Sequence, residues 1–409
     1  MIIAGDFVPT GGQDQANLAL ARQLVQLGRR VTVVGHRFDP SLAESPAVRA
    51  IAVPRPAGKH APAMPLLAAC ARFWANRLRP EVVVVNGGNA PGIRSRPGRS
   101  LVNWVHYVHA AAAEHLPLPP PVGSRPLQRL KRRAFLRAER IAMRRARRFV
   151  ANSQSTANHL IDRLAVAPDQ IAVIPYGGDD PRFPVATEAD RAAARAALAG
   201  ELGIELTQDS AVVLFVGALG DRRKGCDTLL NAWSELKRVR SARHLGEHSA
   251  SLLIVGAGSG AKADANALMT HLTQTEPPDA DVHRLGFRRD VPDLLAAADL
   301  LVSPTRYEPF GLNVQEALAR GTPVLVSRLA GVAERLPPVC QDWLLDDPDD
   351  HHELALKLLA AIQHRRERRG VAVEVGQRLR AWTWKDCASA FKGWAEAGLR
   401  PVSNLETLA

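Results

Sequence analysis

The chain has 409 residues, 46% hydrophobic and 23% charged, and carries a formal net charge of +12. That length favours two domains over one core, the composition is that of a soluble globular protein, and no apolar run approaches a membrane span. Cys70, Cys226, Cys340 and Cys387 are scattered, with no C-x-x-C pair and no Cys/His cluster, which argues against a disulfide framework and a zinc site.

Ile2–Val8 reads as an opening strand. It lacks the basic start and long apolar stretch of a signal peptide, so a cytoplasmic location is expected. Gly11-Gly12 separates it from an amphipathic helix, Gln13–Leu27, ended by Gly28, and Val31–Gly35 is the next strand. Residues 54–65 are Pro-rich and read as a loop. Val82–Asn86 is a β-branched run of the kind buried in parallel sheets. Leu101–His106 is a further strand, and His106 and His109 cluster at its carboxyl end, where α/β proteins place their sites.

Residues 117–126 are a second Pro-rich loop. Residues 125–148 set many arginines around Leu127, Leu130, Phe135, Leu136, Ile141 and Met143, a basic helix with an apolar stripe. Two uses fit it: docking on an anionic membrane surface, or a solvated face whose stripe packs on its own domain. Nucleic acid is disfavoured as the reason for the charge. Only 5% of residues are aromatic, and no helix-turn-helix or RNA-binding motif appears.

The alternation continues with a short strand Arg148–Ala151, a helix 152–164 capped near Asn152 or Ser153, a strand Ile171–Ile174 and a helix 187–199. After a polar break near 203–209 it restarts: strand Ala211–Val216, helix 226–239, strand 251–255, helix 261–273, strand 282–285, helix 291–297, strand 299–302, helix 314–320 and a last strand 323–326. Residues 240–249 read as an insertion. Repeated β-α units predict an α/β protein with two Rossmann-like domains whose parallel sheets face a cleft.

Within residues 299–324, Glu308 lies in a loop and Glu316 in the first turns of a helix, with Phe310-Gly311-Leu312 between them. A helix N-terminus offers N–H groups and a positive dipole end to an anion. Carboxylates on either side accept hydrogen bonds from sugar or ribose hydroxyls. The combination suits a nucleotide sugar. Glu308-x7-Glu316 inside EPFGLNVQEALARGTPV resembles the donor-site signature of the retaining GT-B glycosyltransferases, the large glycosyltransferase family 4 (group 1).

The resemblance implies an acceptor-binding domain over 1–180, a nucleotide-sugar-binding domain over 181–380, and a closing helix over 381–409 that crosses back to the first. It implies a hexose donor that is a UDP- or GDP-sugar, a glycan or lipid-linked acceptor in cell-envelope or exopolysaccharide synthesis, and no metal or other cofactor. It also implies a front-face mechanism in which the leaving phosphate takes the acceptor's proton. A nucleotide-sugar epimerase or hydrolase of the same shape is the alternative.

Carried over by position, Glu316 meets the ribose hydroxyls and Glu308 the transferred sugar. Lys224, before Gly225, matches the lysine that neutralises the donor diphosphate. The family's arginine often follows the strand's glycine, where this chain has Ala218; Arg222 or Arg223 replaces it, Arg222 first. Gly11 and Gly12 resemble the N-terminal Gly-Gly that lets a phosphate or sugar approach the backbone. Gly256 opens a glycine loop, 256–260, that resembles the nucleotide-pocket lining; its spacing is not G-x-G-x-x-G, which argues against NAD. Gly286-Phe287-Arg288 sits where members contact the base through backbone atoms. His106, or second His109, approaches the sugar and hydrogen-bonds it or relays a proton. Glu334 reads as structural. Asp347 and Asp349 have the Asp-x-Asp spacing of metal-dependent transferases, but before a helix they read better as N-cap acids.

Overall fold

The β-branched runs of the chain build two parallel sheets. The structure, a computed structural model, describes residues 1–56, 60–116, 125–242, 250–256 and 281–397. The chain divides into two compact units, Met1–Gly177 together with the chain from Thr383 onward, and Gly178–Trp382.

The strands of the first unit are β1 (Ile2–Ile3), β2 (Asp6–Phe7), β3 (Val31–Gly35), β4 (Arg37–Phe38), β5 (Val48–Ala52), β6 (Val82–Asn86), β7 (Ser100–Val105), β8 (Arg148–Ala151) and β9 (Ile171–Val173). Among the described residues they form a sheet of order β5-β3-β1-β6-β7-β8-β9 and a small β2-β4 pair, all parallel. The second unit holds β10 (Ala211–Val216), β11 (Ala250–Val255), β12 (Val282–Gly286), β13 (Leu300–Ser303), β14 (Val324–Ser327) and β15 (Leu344–Leu345), ordered β12-β11-β10-β13-β14-β15 and again parallel. Each sheet winds outward from one strand, then from that strand's other side. The reversal falls between β1 and β6 in the first unit and between β10 and β13 in the second. Open α/β sheets bind ligands beside such a reversal, at the carboxyl ends of the strands.

Near-continuous Val/Leu/Ile strands require cover on both faces. In the second unit Trp233 and Leu358, from the helices Cys226–Ala242 and His351–Gln363, share one buried core with Phe215, Leu253, Leu301 and Val326 of the strands. In the first, the helix Trp384–Ala397 supplies part of it. Phe391 packs edge-on against Trp104 at 5.4 Å between centroids, and Trp394 Nε1 donates to Phe149 O at 3.1 Å.

Four expectations are corrected. The opening strand is broken after Ile3: Asp6–Phe7 leaves the main sheet to pair with Arg37–Phe38, where Phe7 stacks on Phe38 at 5.6 Å. The Pro-rich stretch 54–65 is a loop only at its start, because a helix runs His60–Leu78. Pro62 lies in the first turn, where no intrahelical N–H bond is needed, and Pro65 gives up only one. The basic helix stops at Met143, and Arg148 already belongs to β8. A further strand, β15, follows β14. The helix expected at 261–273 and most of the 240–249 insertion lie outside the described residues.

Candidate active site

β10 and β13 are neighbours, so the loops leaving their carboxyl ends lie side by side at the second unit's reversal. The β10 loop is one 3-10 turn, Arg222–Lys224, capped by the Asp221 carboxylate on Arg223 N and ended by Gly225 at φ 67°. No side chain fits at 225: a Cβ would stand 1.9 Å from Pro304 O in the β13 loop. That approach brings Arg306 onto the turn. Its backbone N donates to Arg223 O at 2.8 Å. Its buried guanidinium donates to Arg222 O at 2.6 Å, to both Asp227 oxygens at 2.8 Å, to Thr228 Oγ1 at 3.0 Å and to Asp349 at 2.5 Å. Arg306 therefore rivets the two loops together. Sequence reasoning passed over it, although an arginine two residues before Glu308 was the available signal.

Lys224 Nζ donates to Glu308 Oε2 at 2.5 Å, with both side chains mostly buried. Backbone bonds fix the glutamate's loop: Gly331 N to Glu308 O at 3.0 Å and Val332 N to Phe310 O at 2.7 Å. Gly311, at φ 106°, starts the helix Leu312–Arg320 and brings no capping side chain. The first-turn N–H groups of Leu312 and Asn313 thus have no partner within the helix. Glu308 lies at this helix start, since a Cβ on Gly311 would be 3.5 Å from Glu308 Cγ. Asn313 Nδ2 ties the helix to Val216 O of β10 at 3.2 Å.

Glu316 is half-buried on the next turn and acts on Arg182, which grips Asp180 at 2.7 to 3.2 Å. Burial opposes the Arg182 charge, but the Asp180 bond and the Asp180 and Glu316 charges outweigh it and raise its pKa. Arg223 is committed to Asp221, through two contacts of 3.0 Å. The exposed Arg222 guanidinium has no polar partner among the described residues, so it is the arginine available to a ligand.

Gly217, Gly256 and Gly286 follow or end β10, β11 and β12 side by side. Gly217 N bonds Val255 O at 2.9 Å, Gly256 N bonds Gly286 O at 2.8 Å, and a Cβ on Gly256 would stand 1.7 Å from Gly217 O. Phe287 is 60% exposed, whereas Arg288 is paired with Glu201 and Asp290. Residues 257–260 lie outside the described residues. Glu334 is exposed on the turn Gly331–Arg335. Asp350 caps the helix His351–Gln363 through His352 N and Glu353 N, at 2.8 and 3.0 Å, and Asp349 is engaged by Arg306.

In the first unit, Gly11 at φ 86° leads from the β2 region into the helix Gly12–Gln26. Beside it the buried Asp6 accepts from Arg37 at 2.7 and 3.0 Å and from Arg55 at 3.0 Å. Burial, then the Asp6 charge, push the Asp14 carboxyl up to about 7.

His106 is buried just past β7. Its ring lies 4.3 Å from that of Trp104, and Nδ1 meets the Tyr176 hydroxyl. Burial lowers its pKa to about 3, which keeps the imidazole neutral and suits hydrogen bonding rather than proton relay. His109 instead opens a short helix, His109–His115, and stacks on Phe135 at 5.4 Å. The sequence placed the two histidines together, but they face different surroundings.

The basic helix, Arg125–Met143, braces that short helix. Its buried Glu139 accepts from His109 N at 2.7 Å and Ala110 N at 3.1 Å, and Arg132 donates to Ala113 O at 2.8 Å. An acid thus sits at the positive end and a cation at the negative end. Burial pushes Glu139 up to about 6. Sequence reasoning missed Glu139; a lone acid among arginines was the signal. The opposite face leaves Leu130, Arg133, Arg137, Arg140 and Arg144 exposed. No helix among the described residues is long and apolar enough to cross a membrane.

Residues 10–182 match the model "Glycosyltransferase Family 4" and residues 210–364 the model "Glycosyl transferases group 1". A D-inositol 3-phosphate glycosyltransferase of Segniliparus rotundus is 32% identical over 323 residues, 75% of this chain and 63% of that protein. The match therefore spans less than two thirds of that relative's length. The mannosylfructose-phosphate synthase of Agrobacterium fabrum is 26% identical over 380 residues, 87% of this chain and 80% of that one. In fold, a sucrose-phosphate synthase from Thermosynechococcus elongatus aligns at a TM-score of 0.76 and 22% identity, covering 97% of this chain and 98% of that one. Anabaena HepE in complex with UDP-glucose aligns at 0.69 and 21%, with the same coverage. With both halves matched in order and two parallel Rossmann-like sheets, the chain belongs to the group 1, family 4 glycosyltransferases of the GT-B fold.

Proposed function

We propose that the protein transfers a hexose from a UDP- or GDP-sugar to a glycan or lipid-linked glycan, with retention of configuration and without a metal. One observation carries this reading: Lys224 and Glu308 meet at 2.5 Å beside an uncapped helix start, at the reversal point of the second unit's sheet. As the glycosidic bond breaks, negative charge grows on the leaving diphosphate. Lys224, the available Arg222 and the N–H groups of Leu312 and Asn313 are the fixed positive groups that stabilise it.

Binding transfers Lys224 from Glu308 to the phosphates and frees Glu308 to accept a hydroxyl of the sugar. Glu316 accepts the ribose hydroxyls. The leaving phosphate oxygen takes the acceptor's proton as the new C–O bond forms on the face the phosphate leaves. That Anabaena HepE was solved with UDP-glucose supports a nucleotide-sugar donor.

The exposed arginines of the basic helix, with Leu130 at 64% exposure, support docking on an anionic lipid surface. A lipid-linked acceptor of envelope or exopolysaccharide synthesis would be met there.

The test is calorimetric titration with UDP, GDP, ADP and their sugars, with and without EDTA. The expected result is binding of one nucleotide in EDTA that Glu316→Ala abolishes. Binding of none, or binding that EDTA removes, overturns the reading.

A further inference from the structure

We propose that the amino edge of the first unit's sheet binds a phosphate or pyrophosphate group, through Arg72, Arg94 and Arg145 with Arg96 and Arg99 beside them. In a parallel sheet the residues that lead into the strands share one edge, opposite the carboxyl ends where α/β sites lie. Arg99 and Arg147 lead directly into β7 and β8, and Arg79 stands three residues before β6.

Backbone geometry brings the five together. The segment between β6 and β7 turns back on itself at Pro97-Gly98, with Gly98 at φ 71°. Arg96 N donates to Arg99 O at 3.3 Å and Arg99 N to Arg96 O at 2.9 Å. The two arginines are thus a directly opposed pair, whose side chains leave on one face. Arg99 is 6% exposed and its guanidinium donates to Ala75 O in the helix His60–Leu78. Arg72 lies one turn earlier on that helix, with its Cδ 3.6 Å from where a Cβ on Gly92 would be. Arg145, just past the basic helix, reaches the same corner: its guanidinium donates to Pro91 O, and its carbonyl accepts from Ser95 N at 3.4 Å. Arg94 lies in the chain between those two contacts.

None of the five has an acidic partner among the described residues, whereas Arg223 and Arg306 of the second unit are both paired with carboxylates. Arg72, Arg94 and Arg96 are exposed and hold no part of the described fold. Arg99 Nε is buried and meets no partner among the described residues. Burial, then the charge of Arg96, lower the Arg99 pKa; burial, then Arg94 and Arg72, lower that of Arg145. Glu81, just before β6, is exposed and forms no ion pair among the described residues. Braces to carbonyls would need only Arg99 and Arg145; the other three add positive charge alone.

Like charges gathered without a counter-charge attract an anion. Guanidinium forks match the paired oxygens of carboxylates and phosphates. A carboxylate offers two oxygens in one plane. A phosphate or pyrophosphate offers more charge and oxygens in several directions, which suits forks arriving from a helix, a loop and a turn. The group comes free in solution or on a lipid. A lipid would find apolar cover beside the cluster, since the same helix exposes Leu66 at 44% and Phe73 at 59%, seven residues apart on one face. The site is separate from Lys224 and Glu308 and does not rest on the transferase reading.

The experiment compares the full wild-type chain with Arg72→Gln/Arg94→Gln/Arg96→Gln, and with Arg94→Gln alone should the triple variant melt early. Each is titrated with inorganic pyrophosphate and with acetate, and sedimented with phosphatidylcholine vesicles carrying phosphatidic acid. Pyrophosphate is also a ligand for the Lys224 site, so every titration is repeated with Lys224→Ala. The expected result is pyrophosphate binding that survives Lys224→Ala, is not matched by acetate, and weakens about tenfold or more in the triple variant. That assigns a free anion; the same loss seen with the vesicles alone assigns a lipid headgroup. If both probes bind the triple variant as they bind wild type, or neither binds wild type, the proposal is overturned. Pyrophosphate binding lost in Lys224→Ala, with both probes indifferent to the triple variant, overturns it while supporting the donor site. Acetate binding as tightly as pyrophosphate overturns the phosphate assignment, and so does displacement of both probes by duplex RNA.

Discussion

The two sheets reverse at equivalent places and furnish those places in opposite ways. At the second unit's reversal every charge described has a counter-charge or a rivet: Lys224 on Glu308, Arg223 on Asp221, Arg306 on Asp227 and Asp349, with Arg222 the exception. At the first unit's reversal, Asn86, Trp104 and His106 keep neutral polar atoms buried and unmatched among the described residues. Ion pairs in a partly buried site hold a loop in place until an anion displaces one member. Neutral groups instead carry no charge to be desolvated. The same topology therefore surrounds its reversal with paired charges in one unit and sets uncharged polar groups at the ends of β6 and β7 in the other.

The sharpest way to break this comparison is Lys224→Ala. Transfer should fall by roughly a hundred- to a thousandfold, as when a preorganised charge-stabilising group is removed from a transition state. Nucleotide binding should fall much less. A turnover near wild type in steady-state assays with the preferred nucleotide sugar would mean that the pair is only structural.

Next in size is Arg306→Met. It leaves Asp227, Asp349, Thr228 Oγ1 and the Arg222 carbonyl unanswered, and should cost about 2 kcal/mol in urea denaturation. The loss stays below that of a fully buried pair, because Asp227 and Asp349 are 47% and 65% exposed and screened by solvent. An unchanged unfolding midpoint would remove Arg306 from its riveting role.

His106 sharpens the neutral side of the comparison through pH. Its folded pKa of about 3 lies below the ordinary 6.5, so the unfolded chain binds more protons between those values. This group's contribution is intact above about 6.5 and declines as pH falls toward 3. Denaturation at pH 7 and pH 5 should show a smaller acid loss for His106→Gln than for wild type. The turnover profile should contain no limb near neutrality that this variant deletes; finding one would make His106 a proton relay.

The smallest effect on stability is expected from Arg133, Arg137, Arg140 and Arg144 changed together to Gln. These exposed side chains should shift stability by no more than about 0.5 kcal/mol each. Sedimentation with anionic vesicles should nonetheless be lost while donor affinity persists. Retained vesicle binding would return the basic helix to a purely bracing role.

Much of the fold was legible because parallel strands announce themselves as apolar β-branched runs and helices as periodic stretches between them. The loop carrying Glu308 and the helix carrying Glu316 were legible because the two acids and the glycine between them are neighbours in sequence. Arg306 was not, since its side-chain partners are distant in sequence, most of them on and just after the β10 turn and one at Asp349. Glu139 was hidden for a related reason: its partners are backbone N–H groups, which no residue letter records. The helix 60–78 was obscured by prolines that its first turns tolerate. Asn86 was readable only as the end of a strand, because being unmatched is a property of surroundings rather than of a motif.

The segment Gly178–Trp382 begins and ends at one place: Gly178 N donates to Trp382 O at 2.8 Å, and a Cβ at Gly178 would stand 2.3 Å from Leu379 O. The chain thus leaves the first unit at Gly177 and re-enters it at Thr383, whose following residue packs so tightly on Gly177 that a Cβ there would stand 2.2 Å from Trp384 N. On a ribosome, where domains form as they emerge, this inverts the usual order. Trp104 waits for Phe391, nearly three hundred residues downstream, before that side of it is covered. The second unit can close while the first is still missing a helix, so the half of the molecule that is made first is completed last.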